Sequence, residues 1–470
     1  MDTLPDDVLL PIFNFYLDEY SHKASKKLKE KAWRSLVHVC RRWRRVVFGS
    51  PGHLDLQLVC TGRTRTRGTL DVWPALPLII QVANHESIRN VDSIIAVLER
   101  SDRVYQIEVS SLNLEILLAA MQQPFPELTY LRLWSYKGTV AVVPDSFLGG
   151  FAPRLETLAL DRISFPGLSK LPFSAIHNIH LRFLHLTNIP QSGYISPDAM
   201  VTVLSMLTGL EDLTLGFQSP RSCPDRTTRR PPPTTRSRLP SLSFFLFKGV
   251  TEYLEDFVAL IDTPRLNKTR IKYFNDLVFD IPQFIQFISR SPMLKPLEKA
   301  HINFRDEAAY VNFLSRTSGH GDLGVEILCT GLNWQVLSLE QVCTSCLPPL
   351  SMPEDLYIYG RPFWSLEWKG KIENGQWVEL LHPFTAVKNL YLCEEFARHI
   401  APTLQELAGG RTTEVLPTLE NIFLEGLESS GSVEEGISQF AAARKVAGHP
   451  IAISHWDSSK EKISLYYYVG

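Results

Sequence analysis

Apolar and polar positions follow a short unit that recurs about ten times along most of the chain. In its fullest form the unit is Pro–x–Leu–x–x–Leu–x–Leu, whose last residues read as a short strand with two leucines on one face. One unit cannot bury its apolar edge alone, so successive units are expected to stack as parallel strands. The units occupy residues 126–133, 153–160, 181–186, 210–215, 240–247, 264–271, 296–302, 353–358, 386–392 and 417–424.

The spacing of these units predicts the fold class. Neighbouring units lie roughly 24 to 34 residues apart, except for one gap of about 56 residues between His301 and Tyr357. Self-similarity at this period is typical of leucine-rich-repeat solenoids. We therefore predict an α/β solenoid with a curved parallel sheet, irregular convex helices and a divergent unit around 331–339. The alternative is another α/β domain whose strands happen to end in Leu–x–Leu.

Segments with helical periodicity lie between the units and are expected to cover the convex face. Helices are predicted within 196–209, 251–262, 280–292 and 309–315. Before the repeats, a helix is followed by a strand that contains Val104, Ile107 and Val109. After them, a helix over 436–450 and a strand over 451–457 are expected to cap the solenoid.

The residue between the two inward leucines is expected to face the concave surface. In the last units this residue is aromatic, as Tyr357, Tyr391 and Phe423, whereas Arg270 and His301 occupy it earlier. Aromatic side chains are frequent binding hot spots. These five residues form the predicted substrate-binding surface. The alternative, that the C-terminal cap or convex insertions cover the rings, stays open at this stage.

The first fifty residues carry a different pattern, that of short amphipathic helices. In the first stretch, Leu4 to Phe13, apolar residues recur at helical spacing, and Asp6 and Asp7 suit the first turn because the helix dipole favours negative charge there. A second stretch, Ser35 to Val47, repeats the apolar spacing and places arginines on its other face. Two such helices leave apolar surface uncovered, which usually meets a partner protein.

These two stretches resemble the two ends of an F-box, in LPDDVLLPIF and VCRRWR. The resemblance implies docking on the Skp-type adaptor of a cullin–RING ubiquitin ligase. It also implies which side chains form the adaptor-binding surface. They are Leu4, Pro5, Val8, Leu9, Ile12, Phe13, Leu36, Val39, Cys40 and Trp43.

Further features extend the resemblance over nearly the whole chain. Together with the repeats, the WPALP stretch and the SFLGG–APRLETL passage resemble the many F-box proteins of mushroom-forming fungi. The family implies a non-catalytic substrate receptor that holds a protein substrate through the repeats. The alternative is a stand-alone leucine-rich-repeat binding or scaffold protein with a vestigial F-box.

The patterns divide the chain into four regions. We predict F-box-like helices over 1–50, a linker and N-terminal cap over 51–125, the solenoid over 126–430, and a C-terminal cap and tail over 431–470. Inside the solenoid, residues 219–240 are rich in proline, arginine and threonine, which predicts a disordered loop.

Composition narrows the compartment and the partners. A net charge of -2 gives no reason to expect nucleic acid or an anionic membrane as a partner. Seven scattered cysteines fit a reducing compartment, the cytosol or the nucleus. No apolar run approaches the roughly 20 residues of a membrane helix, and Asp2, Asp6 and Asp7 stand where a secretory signal would be basic.

A search for catalytic patterns yields none. The sequence contains no phosphate-binding loop, dinucleotide fingerprint or nucleophile elbow. Cys343 and Cys346 form a lone Cys–x–x–Cys, whereas structural zinc needs two further ligands at suitable spacing. We therefore expect no enzyme activity, no cofactor and no metal.

Overall fold

The structure is a computed structural model of the chain, and it forms two compact units, Met1–Leu210 and Glu211–Gly470. The residues that it describes are 4–21, 26–62, 70, 73–82, 91–111, 114–136, 141–164, 180–223, 235–274, 281–294, 297–316, 321–346, 353–360, 372–425 and 431–456.

The first unit begins with three helices and continues as alternating strands and helices. Its elements are α1 (Asp6–Ser21), α2 (Lys26–Val37), α3 (Arg41–Gly49), β1 (Leu58–Cys60), β2 (Leu78–Val82), α4 (Val91–Leu98), β3 (Val104–Ser111), α5 (Leu114–Ala120), β4 (Tyr130–Ser135), β5 (Ala141–Val142), β6 (Thr157–Asp161), β7 (Ile163–Ser164), β8 (Phe183–Ile189) and α6 (Pro197–Leu204). Short 3-10 turns follow α4, β5 and β8, at Ser101–Arg103, Phe147–Gly150 and Gln191–Gly193.

The sheet of the first unit follows the order of the chain. Its strands run β1-β2-β3-β4-β6-β8, and every neighbouring pair is parallel. The short strands β5 and β7 pair separately. Because each strand lies beside the strand before it, the unit is a stack of repeats rather than a sheet whose order is reshuffled by crossovers.

The second unit continues the same alternation. Its elements are β9 (Asp212–Phe217), β10 (Ser237–Arg238), β11 (Phe244–Gly249), α7 (Thr251–Ala259), β12 (Ile261–Asp262), β13 (Lys268–Phe274), α8 (Pro282–Arg290), β14 (Lys299–Arg305), β15 (Ala308–Leu314), β16 (Asp322–Leu328), α9 (Leu332–Cys346), β17 (Asp355–Gly360), α10 (Asn374–Leu381), β18 (Asn389–Leu392), α11 (Glu394–Leu407), β19 (Asn421–Glu425), α12 (Gly431–Val446) and β20 (Ala452–Trp456). Two 3-10 turns, Pro220–Ser222 and Pro292–Leu294, precede β10 and β14.

The sheet of the second unit contains one reversal. Its order is β9-β11-β13-β16-β15-β14-β17-β18-β19-β20. Strand β15 is antiparallel to both β14 and β16, and all other neighbours are parallel. A two-residue turn at Asp306 and Glu307 connects β14 to β15. This three-stranded meander fills the long gap in the repeat period.

The predicted repeats are confirmed. All ten units end in a strand of the main sheet, and their paired inward side chains, such as Leu131 and Leu133, are buried. Helices α6, α7, α8 and α12 and strands β3 and β20 also form where the sequence predicts them. The α/β class with N-terminal helices and a mostly parallel sheet is therefore confirmed.

Two predictions about the repeats are wrong. The divergent repeat expected around 331–339 is the start of helix α9, and the helix expected over 309–315 is strand β15. A seven-residue apolar segment fits either period, and the pairing of this segment with β14 on one side and β16 on the other determined its conformation. The region 51–125, predicted as a linker and N-terminal cap, contains the strands β1, β2 and β3.

Part of the predicted disordered loop over 219–240 is ordered. Ser237 and Arg238 form β10, which pairs in parallel with β12. Residues 224–234 lie outside the described part, as do 457–470, which include the end of the predicted C-terminal cap. In the described residues, no helix combines the length and the apolarity that a membrane crossing requires.

Candidate functional site

Helix α1 has two apolar faces. Leu9, Phe13 and Leu17 recur every four residues and are at most 2% exposed, so they form the side that packs on α2 and α3. A second line of apolar side chains, the N-terminal apolar stripe, is exposed. It consists of Leu4, Val8, Ile12 and Phe15, from 38% exposed at Leu4 to 78% at Phe15. Water therefore contacts the apolar side chains of a second helix face, which favours binding of a partner protein.

Contacts between α1 and α3 fix the start of this stripe. The Arg42 guanidinium donates a hydrogen bond to Asp6 Oδ1 at 2.9 Å, and it also donates to the carbonyl oxygen of Leu4. The rings of Phe13 and Trp43 lie 4.7 Å apart. Arg42 therefore connects α3 to the start of α1, although the sequence pattern predicts that it lies on the solvent-facing side of its helix.

The loop before α3 adds exposed apolar surface. Val39 is 58% exposed, and Cys40 is exposed as well. The Cys40 sulfur accepts a hydrogen bond from the backbone N–H of Trp43 at 3.4 Å and so caps α3.

The predicted adaptor-binding residues therefore separate into two groups. Leu9, Phe13 and Leu36 are buried in the core of the helices, where they support the fold of this region. The others are accessible, with Trp43 half-buried. The exposed members are Leu4, Pro5, Val8, Ile12, Val39 and Cys40. Phe15 and Leu28, which the sequence analysis did not select, are exposed apolar residues of the same helices.

The helices are attached to the sheet through α2. The buried Trp33 donates its indole N–H to the carbonyl oxygen of Gln57 at 3.2 Å, and its ring meets that of Trp73 edge-on at 5.3 Å. The Arg34 guanidinium lies 5.4 Å from the Trp73 ring. The WPALP stretch, which contains Trp73, thus provides the surface on which the N-terminal helices pack.

A second candidate surface lies on the sheet of the second unit. His301, Tyr357, Tyr391 and Phe423 are paired in register on β14, β17, β18 and β19. Their rings stack with centroid separations of 4.4, 4.1 and 4.5 Å and interplanar angles of 2 to 9°. We call these four residues the aromatic ladder. Stacking of this kind across strands stabilises the sheet as well as forming a surface.

The aromatic ladder is partly covered. Tyr357 is 1% exposed and His301 is buried, whereas Tyr391 and Phe423 are half-buried. Trp456 on β20 contributes to the cover, with its ring 5.8 Å from Tyr357 and 5.5 Å from Tyr391. The C-terminal strand therefore contacts the rings, in line with the alternative considered from the sequence.

Arg270 lies on the same face but apart from the rings. Strands β16 and β15 separate its strand, β13, from His301 on β14. The Arg270 guanidinium donates a hydrogen bond to Asp322 on β16 at 3.0 Å. The five predicted substrate-binding residues are thus aligned in one row of the sheet, but they form two separate groups.

A column of polar side chains runs beside the aromatic ladder, two residues earlier on each strand. Asn389 donates to Asp355 at 2.7 Å, and Asn421 donates to Asn389 at 2.8 Å. Arg316 also donates to Asp355, at 3.1 Å. This column was not predicted from the sequence, although an Asn or Asp two residues before Tyr357, Tyr391 and Phe423 is visible once the repeats are aligned.

Burial dominates the electrostatics of the aromatic ladder. The pKa of His301 is lowered to about 4, mainly because burial of the ring disfavours its charged form. The positive charge of Lys299 lowers the pKa as well, whereas the negative charge of Asp355 opposes the shift. The imidazole is therefore neutral at physiological pH. Its Nδ1 atom and Asn303 Oδ1 on the same strand are buried without a hydrogen-bond partner.

The described residues offer binding surfaces rather than a clustered set of metal ligands. Within them, no group of three or more His, Cys, Asp or Glu side chains is placed to hold a metal ion. Cys343 is buried in α9, and burial raises the pKa of the Cys393 thiol.

Comparison with known proteins identifies the N-terminal region. Residues 1–50 match the family model described as F-box-like. No curated protein matches the chain. Among solved structures, the chain is similar to the leucine-rich repeat-containing protein LegL7 from Legionella pneumophila, at 12% identity and a TM-score of 0.28, over 72% of this chain and 91% of that chain. The strand order and the register of neighbouring strands define the fold of this chain independently of that likeness.

Proposed function

We propose that the protein is a non-catalytic substrate receptor of a cullin–RING ubiquitin ligase. The F-box-like region would bind a Skp-type adaptor and through it a cullin, and the repeats would hold a protein substrate. The observation that carries the proposal is the N-terminal apolar stripe, because it lies within the residues that match the F-box-like family and is exposed to solvent. The same proposal places the protein in the cytoplasm or nucleus.

The aromatic ladder supports the substrate-binding half of the proposal. Tyr391 and Phe423 are half-buried, and polar side chains lie beside them at Asn389 and Asn421. Rings that supply apolar area beside amide groups that supply hydrogen bonds are the usual constituents of protein-binding surfaces. We also propose, on the sequence resemblance, that the chain belongs with the F-box proteins of mushroom-forming fungi.

Adaptor binding tests the proposal with variants that leave the core intact. The double variant Val8→Glu, Ile12→Glu places two carboxylates on the exposed stripe without changing Leu9 or Phe13. We expect it to weaken binding of the full chain to a purified fungal Skp-type adaptor by at least about tenfold, because charges would have to be desolvated in an apolar interface. Titration calorimetry measures the affinity, and circular dichroism checks the fold.

Ile116→Glu is the matched control. Ile116 is 50% exposed on α5 in the same unit, so its substitution adds a carboxylate at an equally exposed apolar position. This variant should bind the adaptor as the unmutated chain does. Absence of binding by the unmutated chain would instead favour the stand-alone repeat scaffold with a vestigial F-box.

A further inference from the structure

The α2–α3 region carries a concentration of positive charge. Residues 26–49 contain nine Lys or Arg residues and a single acidic residue, Glu30, whereas the whole chain has a net charge of -2. Some of these cations are paired inside the fold, in the ion pairs Arg42–Asp6, Arg34–Glu30 and Lys29–Asp55. Arg41 and Arg45 of α3 differ, because both are exposed and neither forms an ion pair with another described residue.

Arg41 and Arg45 lie beside the start of the N-terminal apolar stripe. They are one turn apart on the exposed side of α3, and Arg42 neighbours Arg45 on the helix surface because it precedes it by three residues. Arg42 in turn donates a hydrogen bond to the carbonyl oxygen of Leu4, the first residue of the stripe. The opposite side of α3 is closed to solvent by the buried Val47. Exposed arginines and exposed apolar side chains therefore adjoin where α1 meets α3.

A partner that covers the stripe also meets these two arginines. Val39, which is 58% exposed, and the exposed Cys40 immediately precede Arg41, so the apolar surface continues up to the charge. A guanidinium that is desolvated against an apolar surface is destabilised, whereas an opposing carboxylate accepts two hydrogen bonds from it. The covering surface is therefore expected to be acidic where it faces Arg41 and Arg45.

We propose that Arg41 and Arg45 face a cluster of Asp or Glu residues on the same partner protein that covers the N-terminal apolar stripe. The inference rests on the proposed function, in which this partner is the Skp-type adaptor, and it specifies the chemistry of the adaptor surface. Charges that flank an apolar contact act mainly on the rate of encounter, because their attraction extends through the solvent before the apolar surfaces meet.

The charges of α1 favour a protein over a nucleic acid or an anionic membrane as the occupant. Asp7, Asp18 and Glu19 are exposed on α1, and Glu19 follows Phe15 of the stripe by four residues, on the same side of the helix. A surface that is negative throughout would meet these carboxylates together with the arginines. A protein surface can place acidic side chains opposite Arg41 and Arg45 alone.

Binding kinetics of the full chain test this inference. Arg41→Glu, Arg45→Glu reverses both charges and leaves Arg42 and the apolar stripe unchanged. We expect its association with a purified fungal Skp-type adaptor to be about tenfold slower at low salt, with a dissociation rate changed by less than about threefold. Raising the salt from about 50 mM to about 300 mM should slow association of the unmutated chain several-fold, and this dependence should disappear or reverse in the variant. Surface plasmon resonance measures both rates.

Two further variants separate local charge from net charge and from misfolding. Arg100→Glu, Arg182→Glu makes the same change in net charge at exposed arginines of the first unit, so it should associate as fast as the unmutated chain. Arg41→Lys, Arg45→Lys keeps the charges and should associate within about twofold of the unmutated rate. Circular dichroism checks the fold of all three variants.

The possible outcomes distinguish this inference from the proposed function. Equal slowing by the two pairs of Glu substitutions, or adaptor association that does not depend on salt, would overturn the inference and leave adaptor binding intact. Binding of single-stranded RNA or of phosphatidylserine vesicles that Arg41→Glu, Arg45→Glu abolishes, with adaptor association unchanged, would assign the arginines to one of those partners instead. Absence of adaptor binding by the unmutated chain would contradict the inference and the proposed function together.

Discussion

At the scale of single residues, His301 shows how position changes chemistry. On a solvated strand a histidine titrates near pH 6.5, but here burial, assisted by the positive charge of Lys299, lowers the pKa of His301 to about 4. The unfolded chain therefore binds a proton below about pH 6.5 that the folded chain rejects until about pH 4. Stability from this residue is complete above pH 6.5 and is lost as the pH falls toward 4.

This difference predicts a pH-dependent loss of stability. Between pH 7.5 and pH 5, His301 should account for a decrease of about 2 kcal/mol in the free energy of unfolding. His301→Gln should remove that part of the pH dependence, and His53→Gln, at an exposed histidine, should retain it. Urea unfolding at both pH values measures the difference, and identical pH profiles for His301→Gln and the unmutated chain would rule out the expected contribution.

Neighbouring residues of α1 differ in exposure and therefore in role. Val8 and Leu9 are both apolar and both fit the F-box pattern, but Val8 is 41% exposed and Leu9 is 2% exposed. Their roles differ because a helix turns by about 100° per residue. Substitution of Leu9 would test the stability of the helices rather than the adaptor contact.

At the scale of elements, the start of helix α8 is stabilised by a side chain from the preceding helix. Helix α8 begins with Pro282 and lacks a capping side chain of its own. The buried Glu255 carboxylate of α7 accepts hydrogen bonds from the backbone N–H groups of Gln283 and Phe284 at 2.9 and 2.8 Å. A carboxylate at a helix N-terminus also interacts favourably with the helix dipole.

Because Glu255 caps α8, substitution of Glu255 should destabilise the protein more than substitution of the nearby Glu252. Glu255→Ala should lower the free energy of unfolding by about 2 kcal/mol, because one buried and one part-buried backbone N–H group lose their acceptor. Glu252→Ala, at an exposed glutamate of the same helix, should change it by less than about 0.5 kcal/mol. Chemical denaturation of both variants measures the contrast, and equal losses would show that the cap contributes little.

Short apolar segments are the elements that the sequence left ambiguous. Residues 308–314 form a strand because they pair with β14 and β16 on both sides, although the same spacing fits a turn of helix. The segment around 331–339 contains the repeat-like Leu pattern but lies in α9. In both cases long-range pairing, rather than local preference, determined the conformation.

At the scale of the whole molecule, the two surfaces of the proposed function lie in different units. The N-terminal apolar stripe belongs to the first unit and the aromatic ladder to the second. We therefore expect changes in the two surfaces to have separate effects. The double variant Tyr391→Ala, Phe423→Ala should bind the adaptor as the unmutated chain does, whereas Val8→Glu, Ile12→Glu should not. Calorimetry on both variants measures this, and weaker adaptor binding by the ladder variant would show that the two surfaces are coupled.

The sequence alone determined the repeat period, the inward leucines, most of the helices and the F-box-like start. Each depends on spacing between residues close in the chain, so local periodicity is sufficient to reveal it. The same spacing aligned Tyr357, Tyr391 and Phe423 in one row, because equivalent positions of stacked repeats share a register.

Only the tertiary structure decided which of these residues are accessible and where the repeats depart from their pattern. Burial of Leu9 and Phe13, the cover that Trp456 provides for Tyr357, and the β14–β16 meander all arise from contacts between segments distant in sequence. Such contacts depend on packing geometry in three dimensions, which the period of one segment does not specify.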